Sequence, residues 1–209
     1  MGRSFHSPAG KGMYLSVILR PRCDPTDLMH LTCAVAVAVC QAVEKATGYR
    51  PGIKWINDLV AGKQKLGGIL TEMSIDSKTG LVDYAIVGIG INCNHTREDF
   101  PPELQDIATS LLTVTGKAVN VARLAAETVA ALEKMSAGLL TEKDPMMVLY
   151  RQNCITLGQE IVVLRSEEKR YGTALDVDTD GGLLVKFPEG TTEIVNSGEV
   201  SVRGMYGYI

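Results

Sequence analysis

Apolar and polar positions alternate differently in the two parts of the chain. A polar, glycine-rich stretch without periodicity, Met1 to Gly12, precedes an apolar run of strand length, Met13 to Leu19. Pro21, Asp24 and Pro25 break the chain. Thr26 or Asp27 then caps a predicted helix that runs to about Thr47 and stops at Gly48. Its run of Ala, Val and Cys is apolar on most faces, which predicts a helix packed inside. Ile53 to Ile56 reads as a short strand. Leu59 to Ala61 and Lys65 to Met73 read as a hairpin around Gly62-Lys63-Gln64, and Asp83 to Asn92 as a long apolar strand. Strand, hairpin and strand with a helix on one face predict an α+β domain with a mixed sheet.

Pro101 and Pro102 mark a loop. Helices are expected over Ile107 to Thr115, from Val121 (capped by Asn120) to about Leu140, and from Asp144-Pro145 to about Cys154. From Gly158 the texture changes to short strands: Glu160 to Leu164, Arg170 to Val177, Leu183 to Phe187, Thr191 to Val195 and Glu199 to Val202. Turn residues at Asp178 to Gly182 and Pro188 to Gly190 separate them. So many short strands in so little chain predict a small barrel. The expected division is residues 1–156 and 157–209.

Composition changes this picture little. The chain has 209 residues and a net charge of -3, with no basic stripe, so no nucleic-acid surface is expected through this chain. The longest apolar run, Leu31 to Val43, is shorter than a bilayer needs and contains Gln41, so no membrane segment is expected. No secretory signal pattern opens the chain. The five cysteines show no metal-site spacing and read as reduced thiols of a cytoplasmic protein. His6, His30 and His95 do not cluster, which argues against a histidine-built metal site.

Four short constellations carry candidate chemistry. Lys54-Trp55-Ile56-Asn57-Asp58 puts a cation, a ring, an amide and a carboxylate at a strand end. Asn57 and Asp58 suit a metal-nucleotide, with Lys54 and Trp55 shaping the pocket; equally, Asn-Asp is common turn chemistry. Lys65-Leu66-Gly67-Gly68-Ile69-Leu70 puts a lysine at a hairpin mouth before two glycines, where a ligand can approach the backbone closely. A solvated turn lysine with a glycine bulge fits as well. Gly88-Ile89-Gly90-Ile91-Asn92 places both glycines on one strand face, which suits a flat ligand or close helix packing. It lacks the third glycine and the helix of a dinucleotide fingerprint. In the opening stretch Arg3 suits a phosphate and Phe5 a ring, unless the segment is simply a terminal loop.

In their order and spacing these motifs resemble the biotin–protein ligase family. The resemblance runs through GRSFHSPAGKGMYLSVILRP (Gly2 to Pro21), KWINDL (Lys54 to Leu59), KLGGILTE (Lys65 to Glu72) and VGIGINCN (Val87 to Asn94). It implies a class II synthetase-like ligase domain followed by a small SH3-like barrel. It also implies two half-reactions: ATP and Mg2+ convert biotin to biotinyl-5'-AMP, and a lysine of a biotin carboxyl carrier protein domain then takes the biotin. By resemblance, Lys65 is the lysine that contacts the biotin carboxylate and the adenylate phosphate. Arg3 and Phe5 belong to the nucleotide loop, with Phe5 where the family usually has tryptophan. Lys54, Trp55, Asn57 and Asp58 lie near the ATP phosphates and metal, with Ile56 in place of the usual proline. Gly67, Gly68 and Ile69 line the biotin chain, and Gly88, Gly90 and Asn92 match the strand beside biotin and adenine. The family's ligase domain also has an upstream Ser-Thr-Asn segment and a Gly-Arg-Gly-Arg stretch, and Met1-Gly2-Arg3 resembles the tail of the latter. The first strand and helix of that domain are therefore expected to fall outside this chain. A homodimer is compatible with the family. A catalytically incomplete binding module and a lipoate or octanoate transferase of the same superfamily stand as alternatives.

Overall fold

The computed structural model describes residues 8–165, 168–196 and the backbone of 201–204. Its first layer is a five-stranded sheet in the order β1-β5-β4-β3-β2. The strands are β1 (Gly12–Leu19), β2 (Gly52–Lys54), β3 (Asp58–Ala61), β4 (Gln64–Ile75) and β5 (Val82–Asn92). All its strand pairs are antiparallel, and among the described residues parallel pairing is confined to two isolated bridges, Ile53 with Cys154 and Lys65 with Ala108. The sheet is therefore mixed only through these bridges.

Strand alternation sorts the sheet into two faces. Met13, Leu15 and Val17 of β1 oppose Ile91, Ile89 and Val87 of β5 on one face. That face is covered by α1 (Leu31–Thr47) and α3 (Val121–Gly138), with α4 (Lys143–Asn153) on the far side of α1. Every residue from Cys33 to Cys40 is buried, so α1 is surrounded, which accounts for its apolarity all round. Burying each of its valines contributes about 2 kcal/mol. A 3-10 turn, Pro25–Leu28, precedes α1, and Gly48 ends it in the left-handed region with its N–H on Glu44 O. The expected start at Thr26 is therefore a separate turn. The cysteines are all free and buried, and burial pushes the Cys40 thiol up to about 12 and Cys93 up to about 11.

The region expected as a helix over Ile107 to Thr115 is helical only in α2 (Leu111–Thr115), where Ser110 caps the first turn. The residues before it serve β4 instead. Lys65 N–H donates to Ile107 O and Thr109 N–H donates to Lys65 O, both at 2.8 Å.

The second sheet runs β10-β6-β7-β8-β9, from β6 (Glu160–Arg165), β7 (Glu168–Val177), β8 (Leu183–Lys186), β9 (Thr192–Val195) and β10 (Ser201–Gly204). All its pairs are antiparallel. No pairing of β9 with β10 closes it into a barrel among the described residues. The last strand is described over Ser201–Gly204, and the expected residues Glu199 and Val200 lie outside the described residues.

Candidate active site

Among the described residues the face of the first sheet opposite the helices is open, with Tyr14, Ile18 and Leu70 exposed on it, and the sequence motifs meet there. Cross-strand register places Lys54 opposite Asp58, Asp58 opposite Gly68, Gly68 opposite Gly90 and Gly90 opposite Tyr14. Directly opposed residues point to the same side, so this row crosses all five strands on one face. Its two central positions carry no side chain. The next row, Ser16, Gly88 and Leu70, repeats the gap, and Gly12 opposes Asn92 on the other side.

Two charged groups overhang this floor. Lys65 Nζ donates to Asp58 Oδ1. A Cβ built on Gly68 would stand 3.4 Å from Asp58 Oδ1 and 3.5 Å from Lys65 Nζ, so both head groups hover above that glycine. Lys54, a further cation of the row, is buried. Among the described residues a Cβ at Gly88 would meet nothing closer than Leu70 O at 3.8 Å, so none of the described helices packs on that glycine.

Asn92 is buried beside the floor. Its Nδ2 donates to Thr109 O at 3.0 Å, and its Oδ1 has no hydrogen-bond partner among the described residues. A buried acceptor left open is costly unless something fills it. Tyr14 folds over Gly12, where a Cβ would stand 2.4 Å from the phenol oxygen. Burial raises the Tyr14 phenol, which keeps its donor proton. Asn57 fastens the motif turn to β4: its Nδ2 donates to Ile69 O at 2.7 Å, and Ile69 N–H donates to Asn57 O at 2.9 Å.

Lys54, Asp58, Lys65, Gly68, Gly88, Gly90 and Asn92 thus come together, with Asn57 behind them. Three expected lining residues do not. The side chain of Ile69 sits in the core opposite Ile89, and only its backbone reaches the site. A Cβ on Gly67 would meet Gly90 O at 2.4 Å, so that glycine serves close strand approach. Trp55 is buried away from the open face, with its indole N–H on Gly181 O at 2.9 Å. Arg3 and Phe5 lie outside the described residues. Sequence reasoning missed Tyr14, which the two-residue period of β1 places on the glycine side, and Thr109, which reaches the site through an isolated bridge that no periodicity announces.

The Biotin/lipoate A/B protein ligase family model matches residues 1–92, and the Biotin protein ligase C terminal domain model matches residues 156–203. The chain belongs to the biotin protein ligase family. Among curated ligases of this family, it is 36% identical over 198 residues to the bifunctional ligase/repressor BirA of Bacillus subtilis. That alignment covers 94% of this chain and 60% of that protein. It is also 28% identical to the biotin–[acetyl-CoA-carboxylase] ligase of Mycobacterium tuberculosis, covering 95% of this chain and 72% of that one. The chain thus spans about 60% of the length of the BirA proteins it matches. Among solved structures, the biotin protein ligase of Aquifex aeolicus superposes with a TM-score of 0.79 at 29% identity, covering 93% of this chain and 82% of the other. The same ligase in complex with biotin and ATP gives 0.77 over 93% and 79%.

Mg2+ commonly takes one or two protein carboxylates and completes its shell with phosphate oxygens and water. Asp58 on the open face fits that pattern, and the described residues hold no cluster that would bind a metal unaided.

Proposed function

We propose that this chain is the adenylating and transferring part of a biotin–protein ligase. The observation that carries the reading is the side-chain-free floor of Gly68, Gly88 and Gly90 overhung by Lys65 and Asp58. In the first half-reaction a biotin carboxylate oxygen attacks the α-phosphorus of ATP. The bond to the bridging oxygen breaks, and pyrophosphate leaves with the electron pair. In the second, a lysine amine of a biotin carboxyl carrier domain attacks the acyl carbon of the mixed anhydride. The amide forms, AMP leaves, and the amine proton is lost.

Both nucleophiles come from substrates, so the protein must position them and offset charge. Lys65 holds the biotin carboxylate against the α-phosphate, and its backbone is clamped on both sides by Ile107 and Thr109. Lys54 faces the polyphosphate. Asn92 offers its open acceptor to a ligand N–H. Asp58 is the carboxylate for Mg2+, which supplies charge neutralisation on the phosphates when bound. The reading places the protein in the cytoplasm, with the carrier domain as its protein partner and free thiols to match.

The test is biotin-dependent exchange of labelled pyrophosphate into ATP, with lipoate and octanoate as competitors. Exchange driven by biotin alone is expected. Exchange driven equally by lipoate or octanoate would move the chain to enzymes of the superfamily that activate those acids. No exchange by folded protein would leave a binding module.

A further inference from the structure

The Lys54–Asp58 segment sends its two end residues to the open face and its middle the other way. Trp55 Nε1–H donates to Gly181 O at 2.9 Å, across 126 residues, in the turn between β7 and β8. Its backbone N–H donates to Thr156 Oγ1 at 2.9 Å, and the carbonyl of Ile56 accepts from Tyr150 Oη at 3.1 Å. The turn is pressed against this segment. Gly181 has φ +92°, and a Cβ there would come 3.0 Å from Cys33 Sγ and 3.4 Å from Ile56 Cδ1.

The turn is also stiff in itself. Asp178 Oδ1 accepts from the N–H groups of Asp180 at 2.9 Å and Gly182 at 2.8 Å, and Asp178 N–H donates to Gly182 O at 2.9 Å. Helix α4 pins it from the side. Lys143 pairs with Asp180, and Arg151 Nε donates to Val177 O at 2.6 Å. On its far side the motif hangs from β4 through Asn57 and Ile69. The segment is thus suspended between the second sheet and the floor of the site, with Trp55 as the tie.

We propose that Trp55 is a positioning residue whose hydrogen bond to Gly181 lets the β7–β8 turn set where Lys54 and Asp58 stand over the open face. The turn thereby governs binding of the ATP phosphates and leaves the biotin subsite on β4 and β5 alone. This rests on the ligase reading. A small displacement of phosphate-binding groups costs far more than the lost hydrogen bond itself.

Trp55 is the only tryptophan of the chain, so its emission reports the contact. Trp55→Phe keeps a ring and deletes the donor. Asp178→Ala loosens the turn without substituting Trp55 or any residue of the open face. Calorimetry gives biotin and ATP affinities separately for the wild type and both variants. ATP dissociation constants are expected to rise roughly 10- to 100-fold, with biotin affinity within about 2-fold of wild type and, in Asp178→Ala, Trp55 emission shifted to longer wavelength. A parallel loss of biotin and ATP affinity, or unchanged ATP affinity in folded variants, would overturn the proposal alone. A folded wild type that binds neither ligand would overturn the ligase reading and the proposal with it.

Discussion

Gly88→Val separates a ligand floor from a packing glycine by the sign of two effects. The position lies on the open face between Ser16 and Leu70, and among the described residues a Cβ there has only Leu70 O at 3.8 Å and Leu70 Cβ at 3.9 Å as neighbours. A β-branched residue therefore fits without a clash. Replacing a strand glycine by valine stabilises by up to ~1 kcal/mol, which in a chain of this size raises the melting temperature by about 2–4 °C. For a ligand lying on the strand the same side chain is an obstruction. Lifting it off loses about 100 Å² of apolar contact at 25 cal/mol per Å², or about 2.5 kcal/mol, which is roughly a 70-fold loss of biotin affinity. Thermal melting and calorimetric titration with biotin measure the two quantities on one sample. Raised stability with weakened binding is the expected pair. Biotin affinity within about 3-fold of wild type in a stabilised variant would refute the floor. A melting temperature several degrees lower would return Gly88 to a packing role.

Three further outcomes follow from the geometry. Lys65→Ala is expected to slow adenylate formation by roughly 10²–10³-fold, since it removes a positioned cation from the reacting phosphate; its melting temperature should fall little because a partly exposed ion pair contributes about 1 kcal/mol or less, and an unchanged pyrophosphate exchange rate would remove Lys65 from the mechanism. Gly67→Ala should behave oppositely to Gly88→Val: its Cβ would stand 2.4 Å from Gly90 O, so the sheet must move and the melting temperature must drop, and a variant as stable as wild type would contradict the strand register. The hydrogen bond from Lys11, followed by that from Thr96 N–H, holds the Asp99 carboxyl at about 2, below its ordinary 3.8; a depressed carboxyl contributes stability above its unfolded value and loses it as pH falls through the folded one, so the melting difference between wild type and Asp99→Asn should hold above pH ~4 and vanish towards pH ~2, and a difference gone by pH ~5 would contradict the pairing.

Strand parity carried much of this site into the sequence. The alternation of Gly88, Ile89, Gly90 and Ile91 put both glycines on one side, and the structure places that side on the open face. The apolar run of α1 foretold a surrounded helix, and it is one. Parity misleads where strands end or slip. β2 stops at Lys54, so Trp55 follows the turn towards the second sheet; the register shift between Leu59 and Val60 likewise separates Lys65 from the regular alternation of β4. Residues 107–110 have the composition of a helix start, yet two backbone hydrogen bonds to Lys65 hold Ile107 and Thr109 extended along β4. Such contacts join residues some forty positions apart and leave no periodic trace.

The central claim is that the open face of the first sheet holds a biotinyl-adenylate. Calorimetric titration of this chain with a non-hydrolysable biotinyl-adenylate analogue, with Lys65→Ala alongside, addresses it most directly. One-to-one binding, tighter than for biotin alone and weakened by the lysine substitution, is the result expected. A folded protein that does not bind the analogue, or binds it equally well without Lys65, would contradict it.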